Sequence, residues 1–183
     1  VSVAPNGGRE FGPRHLDFHP AKPWVYVSVE SQKELHMHRM EGGSLSSEPL
    51  FKKRSTIGTY DISFPQAAGG IHVHPNGRTV YVSNRASATV DFNGKKVFRG
   101  GENNIAVFSI NAATGEPTLI QNEDPHSFHI RTFSIDTSGR IMVAASIVDM
   151  NVRDGDNIRH VPAALTVFRI GEDGKLAIAR KYD

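Results

Sequence analysis

Gly69-Gly70-Ile71-His72-Val73-His74-Pro75-Asn76-Gly77-Arg78, running on into Thr79-Val80-Tyr81-Val82-Ser83-Asn84-Arg85, is the stretch that decides the fold. Ile71 and Val73 alternate with His72 and His74, the period of two that marks a strand with one apolar face. Pro75-Asn76-Gly77 is turn chemistry. The run that follows is almost continuously apolar, as a strand buried on both faces requires. The pattern occurs twice more. Upstream, Arg14-His15-Leu16-Asp17-Phe18-His19-Pro20 leads into Trp24-Val25-Tyr26-Val27-Ser28-Val29-Glu30. Downstream, Arg131-Thr132-Phe133-Ser134-Ile135-Asp136-Thr137-Ser138-Gly139-Arg140 leads into Ile141-Met142-Val143-Ala144-Ala145-Ser146.

Each unit continues with two further strand-like segments: Glu34 to Met40 and Pro49 to Arg54, Asn104 to Ile110 and Thr118 to Asn122, Leu165 to Ile170 and Leu176 to Lys181. Glu41-Gly42-Gly43-Ser44, Ala113-Thr114-Gly115-Glu116 and Gly171-Glu172-Asp173-Gly174 supply the turns between them. No segment has a helical period. Four antiparallel strands repeated in this way make the unit of a β-propeller blade, so the fold class is all-β. Residues 1–183 read as one partial propeller domain of about three blades, near 14–57, 69–123 and 131–183.

Closed propellers carry about four to eight blades, and a three-blade arc would leave unpaired edges. The opening Val1-Ser2-Val3-Ala4-Pro5-Asn6 reads as the end of an earlier unit. The chain is therefore expected to be the C-terminal part of a longer propeller, or to close with a second chain. Inserts at 86–102 and 149–162 interrupt the second and third units. The first predicts a small hairpin around Asn93-Gly94. The second reads as a solvated loop: Asp149, Asp154 and Asp156 lack the spacing and terminal Glu of a calcium-binding loop.

The composition removes several function classes. Hydrophobic residues make up 38% and charged residues 22% of the 183, with 17 Gly and 10 Pro, an ordinary globular balance. No apolar run is long enough for a membrane helix. With no cysteine, there are no disulfides, thiolate metal sites or thiol nucleophiles. Twenty-one Lys and Arg against nineteen Asp and Glu leave a net charge of +2, and the only basic run is Lys52-Lys53-Arg54. A nucleic-acid partner would call for a basic stripe, so none is expected. The chain opens on Val1 without a charged start and apolar run; the reading expects a missing N-terminus and favours a cytoplasmic location.

Among polar residues, Glu30 stands out because it ends the otherwise apolar Trp24–Val29 run, an unusual place for an unpaired carboxylate. Arg14 or Arg85 could be its salt-bridge partner. Arg14 and Arg131 occupy equivalent positions in two units. His72 and His74 share a strand face, with His74-Pro75 aligned on His19-Pro20 as a turn element. His36 and His38 alternate with Leu35 and Met37 and read as an exposed face. Phe128, Phe133, Phe168 and Tyr81 are expected in the core. No G-x-S-x-G elbow is present, so a serine-hydrolase mechanism has no support.

Gly12-Pro13-Arg14-His15-Leu16-Asp17-Phe18-His19-Pro20, Val27-Ser28-Val29-Glu30, Gly70-Ile71-His72-Val73-His74-Pro75-Asn76-Gly77 and Tyr81-Val82-Ser83-Asn84-Arg85 together resemble the lactonase family of seven-bladed propellers. That family includes 6-phosphogluconolactonases and 3-carboxy-cis,cis-muconate lactonizing enzymes. The resemblance runs from about Gly12 to Asp183. It implies a site of Arg, Glu and His side chains at the mouth of a central channel, with Arg14, Glu30 and Arg85 catalytic and His15, His72 and Arg131 substrate-binding. It departs from the family at Val29, where an Asn is common, and at Ile130-Arg131-Thr132. A histidine that the family draws from an earlier blade has no counterpart here.

Lactone hydrolysis is acyl transfer to water and needs a base and a stabilised oxyanion. Glu30 or His72 could be the base, and Arg14 or Arg85 could hold the developing charge. Arginine also forks onto carboxylate or phosphate, which suits a small anionic substrate. The expected function is hydrolysis of an anionic sugar lactone such as 6-phosphogluconolactone. Muconate-type cycloisomerisation would use the same groups, and a non-catalytic binding scaffold is the alternative of a different class. No motif calls for a cofactor or a metal.

Overall fold

A computed structural model describes residues 11–58 and 65–183, and among them every regular element is a β-strand. The first sheet holds β1 (Pro13–Phe18), β2 (Trp24–Val29), β3 (Glu34–Glu41), the two-residue β4 (Ser44–Leu45) and β5 (Phe51–Arg54). β1, β2, β3 and β5 run side by side, and β4 pairs with the end of β3. β5 starts at Phe51 rather than at Pro49, since proline has no N–H to give a ladder. β6 (Gln66–Val73) and β7 (Thr79–Ala86) open the second sheet, and a hairpin of β8 (Thr89–Phe92) and β9 (Lys95–Phe98) follows. β10 (Asn104–Ile110) and β11 (Pro117–Glu123) complete that sheet in the order β6-β7-β10-β11. β12 (Phe128–Ile135) and β13 (Ile141–Val148) begin the third, interrupted by β14 (Met150–Asp154) and β15 (Asn157–Val161). β16 (Leu165–Ile170) and β17 (Leu176–Tyr182) end it, again in sequence order. All pairings are antiparallel. The opening segment read as an earlier unit, Val1 to Asn6, lies outside the described residues.

The sheets pack face to face as blades do. Tyr26, Leu35 and Met37 from the first meet Ile71, Val73, Val80, Val82 and Phe108 from the second. The other face of the second sheet, with Tyr81, Ile105 and Val107, meets Ile130, Phe133, Met142, Ala144 and Phe168. This explains the β7 sequence: Val80 and Val82 point one way, Tyr81 the other, and all three are fully buried. β13 departs from the expectation of a strand buried on both faces. Met142 and Ala144 are buried, while Val143 and Ile147 are open, because the third sheet has a neighbour on one face only among the described residues.

Two polar contacts repeat from blade to blade. The Tyr26 hydroxyl donates to the Gly115 carbonyl at 2.8 Å, and the Tyr81 hydroxyl to the Gly174 carbonyl at 2.8 Å. The His19 Nε2 lies 3.0 Å from the Gly77 carbonyl, and His74 Nε2 2.7 Å from that of Gly139. Gly77 and Gly139 have φ of 71° and 72°, and a Cβ at either would stand within 2.6 Å of the histidine ring. Glycine is thus required twice over, for the left-handed turn and for the close approach. The third unit has Val143 where the first two have tyrosine, and Asp136 where they have histidine.

The inserts correct and refine the sequence reading. Asn93 and Gly94 both take positive φ, 49° and 75°, as a two-residue primed hairpin turn demands. The second insert, expected as a loop, is the β14-β15 hairpin, turning at Gly155 with φ 61°. Glycine at the first central turn position is the signal that makes it one. The hairpins touch: Asn151 Nδ2 donates to the Lys96 carbonyl at 3.3 Å, and the Arg153 guanidinium lies 4.3 Å over the Phe92 ring. His36 and His38 are buried on β3, not exposed, at 3% and 5%. A Glu34 carboxylate at 2.7 Å partners His36 Nε2 and the Ser46 carbonyl at 3.0 Å partners His38 Nδ1, so each ring has one hydrogen bond inside rather than facing solvent. Phe128 is half-buried; its ring meets Phe98 edge-on at 4.7 Å, at the foot of the first hairpin.

Candidate functional site

The three innermost strands, β1, β6 and β12, lie beside one another, and each carries a β-bulge near its start. The register shifts between Pro13 and His15, between Ala68 and Ile71, and between Ile130 and Thr132. Bulges bend a strand and re-aim a side chain. Here the residues in the shifts are Arg14, Gly69-Gly70 and Arg131. A Cβ at Gly69 would stand 2.4 Å from Ser83 Oγ, so the second blade has no room for a third arginine. Ser28 Oγ donates to the Gly69 carbonyl at 2.7 Å and ties the first bulge region to the second.

Glu30 follows β2 directly. Its N–H donates to the Gly12 carbonyl at 2.7 Å, and its own carbonyl accepts from Ala68 N–H at 3.2 Å. The residue is thereby clamped between the first two blades. Arg85 comes from the equivalent end of β7. Its two Nη atoms are used separately: Nη2 donates to Glu30 Oε1, and Nη1 to His129 Nε2 at 2.8 Å. Arg14 Nη1 reaches the same Glu30 Oε1 from the other side at 3.4 Å. One carboxylate oxygen thus serves two guanidinium groups, and among the described residues Oε2 accepts no hydrogen bond. The Arg85 side chain is 7% exposed and that of Glu30 37%, so the arginine forms the floor and the carboxylate faces outward.

The electrostatics are those of crowded cations. Burial, then the Arg14 charge, draws Arg85 below the usual arginine range, with Glu30 opposing; an arginine stays charged regardless. His129 is also held down, first by burial and then by Arg85, Arg131 and Arg14. His15 is lowered by burial and by Arg14, His72, Arg131 and Arg85. Seven buried side-chain polar atoms among the described residues lack a hydrogen-bond partner, and three belong to this cluster: Arg14 Nε, Arg85 Nε and His129 Nδ1. Unsatisfied groups are rare in native interiors and tend to mark working sites.

Behind the cluster lies a buried polar network. Asn84 Nδ2 donates to the Ser55 carbonyl at 2.6 Å and to Asn104 Oδ1 at 2.8 Å, and its Oδ1 accepts from Ser55 Oγ at 2.6 Å. Asn104 Nδ2 continues to Glu102 Oε2 at 2.8 Å. Glu102 Oε1 accepts the N–H groups of Ile57 and Gly58 at 2.9 and 2.7 Å. Gln66 Nε2 donates to the carbonyls of Arg85 and Glu102 at 3.3 and 3.0 Å. Every amide of Asn84 is satisfied, so the backbone next to Arg85 is fixed.

Of the sequence-derived candidates, Arg14, Glu30 and Arg85 meet directly. Arg131 and His15 lie within electrostatic reach of them. His72 takes a different partner: its Nδ1 is 3.5 Å from Asp17 Oδ2, and its ring meets Phe133 edge-on at 5.1 Å. Histidine 129 was missed. It sits outside the repeated motif, and the signal it carries, a non-glycine φ of 60°, is invisible in a sequence. Among the described residues no three His, Cys, Asp or Glu side chains gather as metal ligands do. Beside the cluster, Phe98, Asn103, Phe128, Val152 and Arg159 line a cavity of about 380 Å³ under the two hairpins.

Four histidines, two of them at the site, set a pH dependence of stability. His15, His19, His36 and His129 all titrate below the ordinary 6.5, burial being the first cause for each. The folded chain therefore refuses protons that the unfolded chain accepts just below 6.5, and stability falls with pH there. Glu123, raised by burial and by Asp124, acts in the opposite direction, one group against four. Thermal unfolding at pH 5.5 is expected at a lower temperature than at pH 7.5. An unchanged or higher Tm at pH 5.5 would contradict the lowered titration of these rings.

A family model described as lactonase, 7-bladed beta-propeller, matches residues 4–153. The 6-phosphogluconolactonase of Cronobacter sakazakii is 27% identical over 172 residues, which is 93% of this chain and 42% of that protein. That of Bacillus subtilis is 28% identical over 137 residues, 74% of this chain and 34% of its own length. The chain thus spans less than half the length of the curated relatives it matches. A solved protein from Lactobacillus plantarum superposes with a TM-score of 0.71 at 23% identity, over 94% of this chain and 42% of that one. The periplasmic gluconolactonase of Pseudomonas aeruginosa gives 0.70 at 19%, over 94% and 40%. At such identities the two superpositions speak to the fold alone.

Proposed function

This chain belongs to the lactonase family of seven-bladed β-propellers, and from that premise we propose that the protein carrying it hydrolyses an anionic sugar lactone, with 6-phosphogluconolactone the leading substrate. The observation that carries the reading is the Glu30 carboxylate shared by Arg14 and Arg85, with Arg131 within reach. Glu30 Oε2 takes a proton from water as the water oxygen attacks the lactone carbonyl carbon. Arg14 stabilises the oxyanion as the tetrahedral species forms. The ring C–O bond then breaks, and the proton held by Glu30 passes to the departing alkoxide. Arg131 and His15 bind the substrate's anionic group, where a planar guanidinium forks onto phosphate or carboxylate. His72, paired with Asp17, lines the approach.

The ring is proposed to be completed by further blades, from the same polypeptide or a second chain, seated on the open face of the third sheet. Val143, Ile147 and Leu165 are exposed at 38%, 56% and 49% there, an apolar face that a neighbouring blade would cover. The experiment is a lactone-opening assay on the purified protein, with its intact mass and solution size measured alongside. A particle larger than this 20.1 kDa chain that opens phosphorylated sugar lactones is the expected result. Turnover of a muconate alone would move the protein to cycloisomerisation. Turnover of neither, by a complete ring, would leave the cluster without this chemistry.

A further inference from the structure

We propose that His129 is a positioning residue: its neutral imidazole holds Arg85 in a pose that keeps the second oxygen of Glu30 free. The inference rests on the reading of Glu30 as the base, and it assigns a task to a residue outside the repeated motifs. Its first support is the direction of a hydrogen bond. Arginine has only donors, so the contact from Arg85 Nη1 at 2.8 Å requires a lone pair on His129 Nε2. The ring proton then sits on Nδ1, and a doubly protonated ring could not make the contact at all.

The second support is what the contact prevents. A guanidinium readily pairs with a carboxylate through two parallel bonds. Held by Glu30 at Nη2 and by His129 at Nη1, Arg85 is bound to two different residues and cannot form the end-on fork in which both Nη atoms meet Glu30. Without His129, Arg85 is free to take both Glu30 oxygens, and the base would lose its access to water. The third support is backbone geometry. His129 has φ 60°, a conformation that non-glycine residues rarely take and that clusters at functional sites. Its N–H donates to Asn103 Oδ1 at 2.8 Å, and Asn103 Nδ2 donates to the carbonyl of Ala86, next to Arg85, at 3.0 Å. One asparagine thus locks the histidine to the strand that carries its partner.

The charges facing the ring come from every packed element: Arg14 of β1, Glu30 after β2, Arg85 of β7 and Arg131 of β12. Three cations against one carboxylate disfavour a protonated ring, which agrees with the acceptor role. The test pairs two substitutions with a spectroscopic signature. His129→Asn suits the left-handed backbone but is too short to reach Arg85, whereas His129→Gln can place an acceptor oxygen near the Nε2 position. His129→Asn is expected to lower kcat at least tenfold with KM changed less than threefold, and His129→Gln to restore most of kcat. Nitrogen-15 correlation spectra of the wild-type protein should show the proton on Nδ1, with the ring titrating below the ordinary 6.5.

An Nε2-protonated ring, or a ring half-protonated near pH 6.5, would overturn the proposal whatever the enzyme does. Full activity in His129→Asn, or equal loss in both variants, would also overturn it. If the protein opens no lactone, the spectra still decide whether His129 holds Arg85, so the failure of this inference and of the proposed activity are distinguishable.

Discussion

Glu30→Gln is expected to lower kcat/KM for lactone opening at least about a hundredfold, the lower end of what a positioned general base contributes. The substitution keeps the shape and leaves an amide oxygen for Arg14 and Arg85, but removes the carboxylate that, among the described residues, these two arginines share. Arg85, 7% exposed, then keeps its charge without a counter-charge, and an uncompensated buried charge is costly. A loss of thermal stability should therefore accompany the loss of activity. The measurement is steady-state kinetics with thermal unfolding on the same preparation. An active Glu30→Gln protein would remove Glu30 from the chemistry and leave it as a structural ion pair.

Tyr81→Ala should cost about 3–5 kcal/mol, the range for deleting a buried aromatic side chain from a core. Tyr81 is fully buried between the second and third sheets, and its ring fills space that no neighbouring backbone can close. Tyr81→Phe separates the ring from the hydroxyl. It removes the 2.8 Å bond to the Gly174 carbonyl and the 3.2 Å contact with Thr79 Oγ1 and leaves the buried carbonyl unpaired, for about 1–3 kcal/mol. Denaturant unfolding of both variants checks the pair. Equal losses would mean that the hydroxyl carries the contact between blades; no loss in Tyr81→Phe would mean that the repeated tyrosine is a packing device alone.

The blade pattern was legible because its cause is local. Period-two alternation in Ile71 and Val73, turn residues at Pro75-Asn76-Gly77 and a run such as Val80-Tyr81-Val82 are each demanded by strand geometry, and each repeats. Arg14, Glu30 and Arg85 were legible because they stand at strand ends where the motif repeats but the chemistry changes. What was not legible depends on partners distant in sequence. His36 and His38 look solvent-facing until Glu34 and the Ser46 carbonyl are seen to partner one nitrogen of each. His129 carries no pattern; its role comes from a left-handed backbone and from Arg85, 44 positions away. The second insert read as a loop because its charged residues masked the alternation that pairs Val152 with Arg159 and Met150 with Val161.

The arginine cluster makes one comparison decisive. Three guanidinium groups around one carboxylate leave an excess of positive charge, which should be spent on an anionic substrate group. The measurement is kcat/KM of the complete protein for a phosphorylated sugar lactone and for the same lactone without its phosphate. The account predicts a preference for the phosphorylated form of at least about a hundredfold, roughly 2.7 kcal/mol of discrimination. Equal rates for the two, or no opening of either, would contradict the assignment of Arg14, Glu30, Arg85 and Arg131 to an anionic lactone.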